Sequence, residues 1–241
     1  MNTLIKKLSL IILFTYSIIL TNQLKAQELS VGTDLVSRYI WRGIDLGQNT
    51  PSLQPNIKFT FSDFNFGFWG AYSLSNPNGL NEIDIYTSYS LSLTKAGTLS
   101  LGFTDYTNPN SGTKIGNIHN HNDPEGPGAH FIELNINYAA PQDIPISLSF
   151  NYFLYNVANN PIYFQLNYTT AVSGVDLNLF LGGTPGDNSK YYGVSNFSII
   201  NLGFTASKSV KITESFSFPL FGSIILNPSS ENLFYVIGIS M

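Results

Sequence analysis

The feature that most constrains the fold of this chain is strict two-residue alternation between apolar and polar side chains. In residues 82–93, Glu-Ile-Asp-Ile-Tyr-Thr-Ser-Tyr-Ser-Leu-Ser-Leu, one parity is mainly apolar and the other carries Asp, Tyr and Ser. Successive side chains of a β-strand point to opposite faces, so this segment predicts a strand with one apolar and one polar face. Its length matches the roughly 9–11 residues that a tilted strand needs to cross a bilayer.

The same alternation recurs along the chain, and the spacing of the segments predicts how they connect. We expect strands at approximately 29–42, 52–62, 64–75, 81–94, 97–106, 129–139, 144–156, 161–171, 174–183, 194–207, 215–226 and 231–241. Short connections such as 62–63 and 172–173 alternate with long ones such as 43–51 and 107–128. Short periplasmic turns opposite longer extracellular loops are typical of outer-membrane barrels. The chain is therefore predicted to be all-β, an antiparallel up-and-down transmembrane β-barrel of about 12 strands.

Composition supports this class and excludes others. Only 11% of the residues are charged, whereas a soluble domain typically has about 25%. The mean hydropathy of +0.07 is too low for a bundle of membrane helices. The chain has no cysteine, which excludes disulfides and cysteine-based metal or redox sites. Its net charge of −4 gives no indication of a nucleic-acid partner.

The N-terminal segment has the pattern of a secretory signal peptide. Lys6 and Lys7 precede an apolar run at 8–20, and Ala26 offers a small residue for cleavage. The run is too short for a membrane-spanning helix. We expect residues 1–26 to be the signal peptide and 27–241 to be the barrel domain.

Charged residues within the predicted strands share the polar parity, which would face the lumen. These residues are Asp34, Arg38, Arg42, Lys58, Asp84, Glu133 and Asp176. An Arg or Lys facing lipid near the midplane would cost about 2–4 kcal/mol. Opposite charges inside a barrel can pair into a plug that holds the wall, or they can line a path for a solute. The sequence leaves both open. Asp105 is the exception, because it has the parity that faces lipid. We expect headgroups and water near the strand end to solvate its charge.

Aromatic residues near strand ends are expected to face lipid as interfacial girdles. They are Tyr39, Trp41, Tyr72, Tyr138 and Tyr168. The last segment alternates up to Met241 and is similar to the terminal assembly strand of outer-membrane barrels, with Met in place of the usual aromatic residue. The expected partners are outer-membrane lipids, the barrel assembly machinery and small solutes.

The loop at 117–130 contains every histidine of the chain. His119, His121 and Asp123 are candidate ligands for a divalent metal, with Glu125 close by, because imidazoles and carboxylates bind such ions. The alternative is a solvated extracellular loop, and no metal or other cofactor is predicted. His130 has outward parity and is a candidate base for a lipid hydrolase, but no neighbouring motif places a serine beside it.

One segment carries a family resemblance. Residues 37–44, Ser-Arg-Tyr-Ile-Trp-Arg-Gly-Ile, followed by Pro-Ser-Leu-Gln at 51–54, resemble the opening motif of the Gcw_chp family of uncharacterised bacterial outer-membrane proteins. Gly-Phe-Trp-Gly at 67–70 is similar to a second family element, while Asp45 and Pro55 replace the family's usual Ser and Gly. The resemblance covers roughly 30–75 and implies an outer-membrane barrel of undefined activity, without catalytic residues. A structural role for Arg42 and a ligand contact both remain open.

The sequence thus predicts a protein of the outer membrane of a Gram-negative bacterium, acting in passive transport as a pore or in envelope structure, and not an enzyme. One alternative is an outer-membrane lipid-modifying enzyme similar to the phospholipase barrels. A second alternative is a secreted β-sandwich or ligand-binding barrel.

Overall fold

The computed structural model describes residues 27–76, 79–187, 190–214 and 217–241. The predicted signal peptide, 1–26, lies outside the described residues. The strands are β1 (Gln27–Val36), β2 (Ile40–Trp41), β3 (Ile44–Asp45), β4 (Ser52–Phe61), β5 (Phe64–Ser73), β6 (Glu82–Ser92), β7 (Thr98–Thr107), β8 (Phe131–Ala139), β9 (Ile146–Tyr155), β10 (Ile162–Val172), β11 (Val175–Thr184), β12 (Ser198–Lys211), β13 (Ser217–Asn227) and β14 (Asn232–Ser240). Short 3₁₀ turns occupy Thr94–Ala96 and Pro109–Ser111.

The strands other than β2 and β3 form one closed antiparallel barrel. Each of these twelve strands pairs with its sequence neighbours, and β1 pairs with β14 to close the ring. The predicted all-β, up-and-down barrel is confirmed. Among the described residues, no helix is long and apolar enough to cross a membrane.

The alternation sorts side chains between the outside and the inside of this barrel. On β6, Ile83 and Ile85 are 47% and 40% exposed on the outer surface, whereas Glu82 and Asp84 are 8% and 7% exposed inside. Large exposed apolar side chains also cover β4, β7, β9 and β14. A closed sheet with an apolar outer surface suits a lipid environment, because its strands pair their backbone groups with one another and lipid offers no partner to a polar group.

The first predicted strand, 29–42, is too long. β1 ends at Val36, and the chain then turns inward as a two-stranded hairpin of β2 and β3, with Arg42 and Gly43 at its tip. Both tip residues have positive φ, 50° and 76°, which is the backbone twist that a two-residue hairpin turn favours. A hairpin strand has the same period of two as a barrel strand, so alternation alone did not separate them.

This inward turn also overturns two girdle assignments. Tyr39 is only 7% exposed and packs against Trp69 inside the barrel, with ring centroids 5.4 Å apart. Trp41 packs against Tyr106 and Tyr192 in the interior. Both rings were expected to face lipid, and both instead fill the lumen.

The two ends of the lumen differ in character. We call the end with the long connections the loop end and the opposite end the turn end. At the turn end, a cavity of about 520 Å³ is lined by polar side chains that include Thr169, Asp176 and Asn178. Nearer the loop end, an apolar cluster around Phe180, Phe234 and Val236 fills one side, and Ile40 of the hairpin packs on it. The hairpin therefore fills the loop end of the lumen, and open space remains at the turn end.

Candidate functional site

The site is built around one ion pair between the hairpin tip and the barrel wall. Arg42 donates from Nη1 to Glu133 Oε1 at 2.7 Å and from Nη2 to Glu133 Oε2 at 2.8 Å. Glu133 lies on β8 and is fully buried. In the order of strands around the barrel, β8 is on the far side from β1. The hairpin thus leaves the wall at β1, crosses the lumen and is fastened to the opposite wall.

The pair is enclosed by further donors and rings. Tyr106 Oη donates to Glu133 Oε2 at 2.9 Å, and Asn135 Nδ2 donates to the same oxygen at 2.8 Å. Arg42 Nη1 also donates to Tyr192 Oη at 2.6 Å. Bidentate geometry with extra hydrogen bonds is what makes a buried ion pair stable, since the desolvation of both charges must be offset.

Aromatic rings and neighbouring charges keep Arg42 ionised. Its guanidinium carbon lies 4.3 Å from the centroid of the Trp41 ring and 4.5 Å from that of Tyr163, both within cation–π range. Burial alone would lower the pKa of Arg42, but Tyr192 and Glu133 more than offset it, so the pKa is raised above its ordinary value. The hairpin tip is a permanent cation.

Gly43 seats the tip against β12 and β13. A Cβ at this position would collide with the carbonyl oxygen of Ile200, which is on β12. Asn227 on β13 donates from Nδ2 to the Gly43 carbonyl oxygen at 3.1 Å. The close approach and the positive φ together require glycine at this position.

A second group of polar residues lies on β6. Tyr39 donates from Oη to Glu82 Oε2 at 3.3 Å. Burial raises the pKa of Tyr39 well above its ordinary value, and the nearby charges of Glu82 and Asp84 add to the increase. Within the described ranges, no lysine, arginine or histidine lies at ion-pair distance from either carboxylate.

The structure brings only some of the predicted lumen charges together. Arg38 lies in the connection between β1 and β2 and not in a strand. Its Nε is 3.6 Å from Asp45 Oδ2. Asp34 and Lys58 are half-buried on β1 and β4, away from the ion pair. Asp176 is exposed at the turn end.

Sequence reasoning missed several residues of the site. Glu82 shares the parity of Asp84 and was recognisable by that alternation alone. Tyr106 and Tyr163 lie on the inward faces of β7 and β10, but nothing local indicates that they, or Tyr192 in the connection between β11 and β12, reach Arg42 or Glu133.

Polar side chains of the loop at 117–130 contact other residues of the same loop. His119 Nδ1 is 3.6 Å from Glu125 Oε2, and Asp123 accepts a hydrogen bond from the backbone N–H of Asn120 at 2.6 Å. In the described part of the chain, His119, His121 and Asp123 do not form part of any group of three or more potential ligands able to hold a metal ion.

His130 is tied down at both ring nitrogens. Nδ1 lies 2.7 Å from Asp105 Oδ2, and Nε2 lies 2.7 Å from the carbonyl oxygen of Ile115. A carbonyl oxygen can only accept, so Nε2 carries a proton and is not free to act as a base. Burial lowers the His130 pKa, but the hydrogen bonds to Asp105 and Ile115 and the Asp105 charge outweigh it and raise the pKa. The outward parity of Asp105 is explained by this partner.

These observations define a class: a membrane-type antiparallel β-barrel whose loop end is filled by an inward hairpin. The chain belongs to the family described as "Bacterial protein of unknown function (Gcw_chp)", whose model matches residues 23–218. The resemblance predicted from 37–44 is confirmed, and that segment is the one that forms the hairpin.

Two solved structures resemble the barrel. The chain described as "KdgM porin" superposes with a TM-score of 0.50 at 10% sequence identity, covering 89% of this chain and 98% of that chain. At this identity the similarity concerns the fold alone. A chain described under "Unveiling the Mechanism Behind the in-meso Crystallization of Membrane Proteins" has a TM-score of 0.48 at 8% identity, covering 88% of this chain and 83% of that one, and carries no argument. No curated protein matches the chain.

Proposed function

We propose that this protein is a gated passive pore of the bacterial outer membrane, with the β2–β3 hairpin as its plug. The observation that carries the proposal is the ion pair of the hairpin tip, Arg42 to Glu133, by which the hairpin spans the lumen. Cavities lie on both sides of that closure: about 520 Å³ at the turn end, and about 710 Å³ at the loop end beside Arg38, Asp45 and Lys190. Open space on both sides of a non-covalent plug suits a pore that opens when the plug moves.

The same proposal sets the orientation and the partners. The long loops face the exterior and the short turns face the periplasm, as outer-membrane barrels are arranged. The partners are outer-membrane lipids on the apolar surface, the barrel assembly machinery during insertion, and small solutes in the lumen. The proposal excludes an enzyme, and the geometry of His130 supports this part, because both ring nitrogens already have partners.

Conductance of the refolded protein in planar bilayers tests the pore. We expect the wild type to be closed most of the time, and Arg42→Ala and Glu133→Gln to raise the open probability at least about tenfold. A factor of ten corresponds to about 1.4 kcal/mol, less than a buried pair normally contributes when one partner is removed. Arg38→Ala is the matched control, because it removes a cation from the same loop at a looser contact, and we expect it to change little.

Two outcomes would reject this function. Silence of the wild type and of both unlocked variants would reject a pore. Equal, continuous conductance in all four proteins would reject the hairpin as the gate.

A further inference from the structure

A third cavity, of about 400 Å³, lies between the hairpin and the wall formed by β6 to β9. Five aromatic side chains line it, together with aliphatic ones; they are Trp41, Tyr106, Phe131, Phe153 and Tyr191. Glu82 contributes the carboxylate. This volume lies within the range of small-molecule sites, which are about 300–1,000 Å³ and mostly apolar with a few placed polar groups.

The carboxylates beside this cavity lack a counter-charge. Glu82 and Asp84 are both more than nine-tenths buried on the inward face of β6. Arg42 is already committed to Glu133 on both of its terminal nitrogens. Within the described residues, no other cationic side chain reaches either carboxylate at ion-pair distance.

Asp84 supplies an independent sign of a missing partner. Its Oδ1 is shielded from solvent, and in the part of the chain that the structure describes no N–H or hydroxyl group donates to it. The register partner of Asp84 on β7 is Tyr106, which lines the cavity. Two neighbouring buried carboxyls cannot both be ionised at low cost, so without a ligand they share a proton. A positive group beside them would balance their charge and take the place of that proton.

We propose that this cavity binds a small organic cation, with its ammonium group beside Glu82 and its carbon substituents against the aromatic rings. An ammonium group is attracted to aromatic faces, most strongly to that of Trp, and the carboxylates add charge complementarity. The lining is wrong for a hard metal ion, which takes six or more oxygen ligands. It is also wrong for an anion, because the nearby guanidinium is neutralised.

The cavity is placed for entry from the loop end. Leu80 and Asn108 line it and belong to the connections that precede β6 and follow β7. A ligand can therefore bind without passing through the lumen. This inference goes beyond the proposed pore, and its test does not depend on whether the protein conducts.

The intrinsic fluorescence of the intact folded protein in detergent micelles tests the site. The chain contains two tryptophans: Trp41 lines the cavity, and Trp69 is the register partner of Asp84 on β5. We expect choline chloride, titrated at constant ionic strength, to give a saturable change. The neutral isostere 3,3-dimethylbutan-1-ol should bind at least about tenfold more weakly, because it keeps the shape and loses the charge.

Variants separate the contributions. Glu82→Gln should weaken choline binding about tenfold or more, and Asp84→Asn by a smaller factor, because Glu82 lines the cavity directly. Tyr191→Leu, a change in a loop that leaves the strands intact, should weaken it about threefold through the lost ring and covers the case in which Glu82→Gln does not fold. Asp176→Asn makes the same change of charge at the turn end and should have no effect.

Three results would overturn the inference. They are equal affinity for choline and its neutral isostere, unchanged binding in the folded Glu82→Gln and Tyr191→Leu variants, and the same saturable signal from potassium chloride alone at the same concentrations.

Discussion

At the scale of single residues, the hydrogen bonds that Glu133 accepts organise the interior. Its two oxygens take four hydrogen bonds, two from Arg42 and one each from Tyr106 and Asn135. A carboxylate with no exposed surface is tolerated only when its lone pairs are used in this way. Removing the arginine therefore does more than remove one contact, since it leaves a buried charge behind.

We expect Arg42→Ala to lower the free energy of unfolding by about 3–5 kcal/mol, the range for breaking a buried pair from one side. The double variant Arg42→Met/Glu133→Met should recover much of this loss, because no unpaired charge remains. Urea unfolding followed by fluorescence in lipid vesicles measures both. Arg38→Ala, at a partly exposed 3.6 Å contact, should cost below about 1 kcal/mol; a similar cost for both single variants would contradict the fastening role.

His130 makes the adjoining loop sensitive to pH. Its pKa is raised in the folded protein, so the stabilisation is complete below the unfolded pKa and is lost as pH rises through the folded one. A neutral imidazole has one N–H and cannot donate to both Asp105 and the Ile115 carbonyl. We expect the loop amides of Asn117 and Ala129 to lose protection from hydrogen exchange as pH rises, after correction for intrinsic rates.

His130→Gln provides the control for this titration, because it leaves His119 and His121 in place. The variant should show no pH-dependent step in protection. The same step in wild type and variant would assign the effect to another group.

At the scale of elements, the hairpin is a strand pair that does not join the barrel. Its side chains alternate as in any hairpin, with Ile40 on the apolar cluster and Trp41 beside Arg42. What directs it inward is the set of partners available there: the Glu133 carboxylate, the Asn227 amide and the space that Gly43 leaves against Ile200.

Gly43→Ala should therefore displace the hairpin. In a Trp69→Phe background Trp41 is the remaining tryptophan, and we expect acrylamide to quench it more strongly in the Gly43→Ala variant. Gly112→Ala is the matched control, because Gly112 also has positive φ, at 81°, but a Cβ there meets nothing within 4 Å. Equal quenching in both variants would mean that backbone strain, of about 1–2 kcal/mol, accounts for the effect without the collision.

At the scale of the whole molecule, the barrel is held closed by a short seam. β1 pairs with β14 over Asp34–Val36 only, extended by the two backbone hydrogen bonds between Thr33 and Met241 at 2.9 Å and by one from Ser37 to Ile237 at 2.8 Å. On its other side β1 pairs with β4 along its full length. Within the described strands, the seam is the shortest junction of the ring.

A chain lacking residues 239–241 should fail to close, since it loses the partners of Asp34, Leu35 and Thr33. The expected result is loss of the compact, heat-modifiable band in unheated SDS gels. Removing 27–29 instead takes away residues that pair with β4 but not with β14, and should leave the band in place. A compact band from the 239–241 deletion would show that closure does not depend on this seam.

Much of the fold was predictable because membrane barrels obey a local rule. Each lipid-facing position must be apolar, so the period of two is written into every strand, and the twelve barrel strands and their outer faces followed from it. The predicted strand bounds were wrong where no residue faces lipid and this rule does not apply. In 37–45 the same alternation belongs to a hairpin with no lipid face, and Tyr39 and Trp41 were placed on the wrong side.

The candidate site was only partly predictable, because its contacts join distant segments. Arg42 and Glu133 were both expected in the lumen, but nothing in their local sequence indicates that they meet, since 91 residues separate them. The contacts of Tyr192 and Glu82 could not be predicted for the same reason. Their roles depend on which walls the closed ring brings face to face and on which loops turn inward.

The sequence by itself determined the strands, their two faces and the family, since these depend on side-chain period and short motifs. The tertiary structure decided the plug, the fastening of Arg42 to Glu133 and the unpaired carboxylates beside the aromatic cavity. The physical reason is that lipid acts on each residue separately, whereas the interior of a barrel is specified by partners from opposite walls. Those partners exist only once the ring has closed.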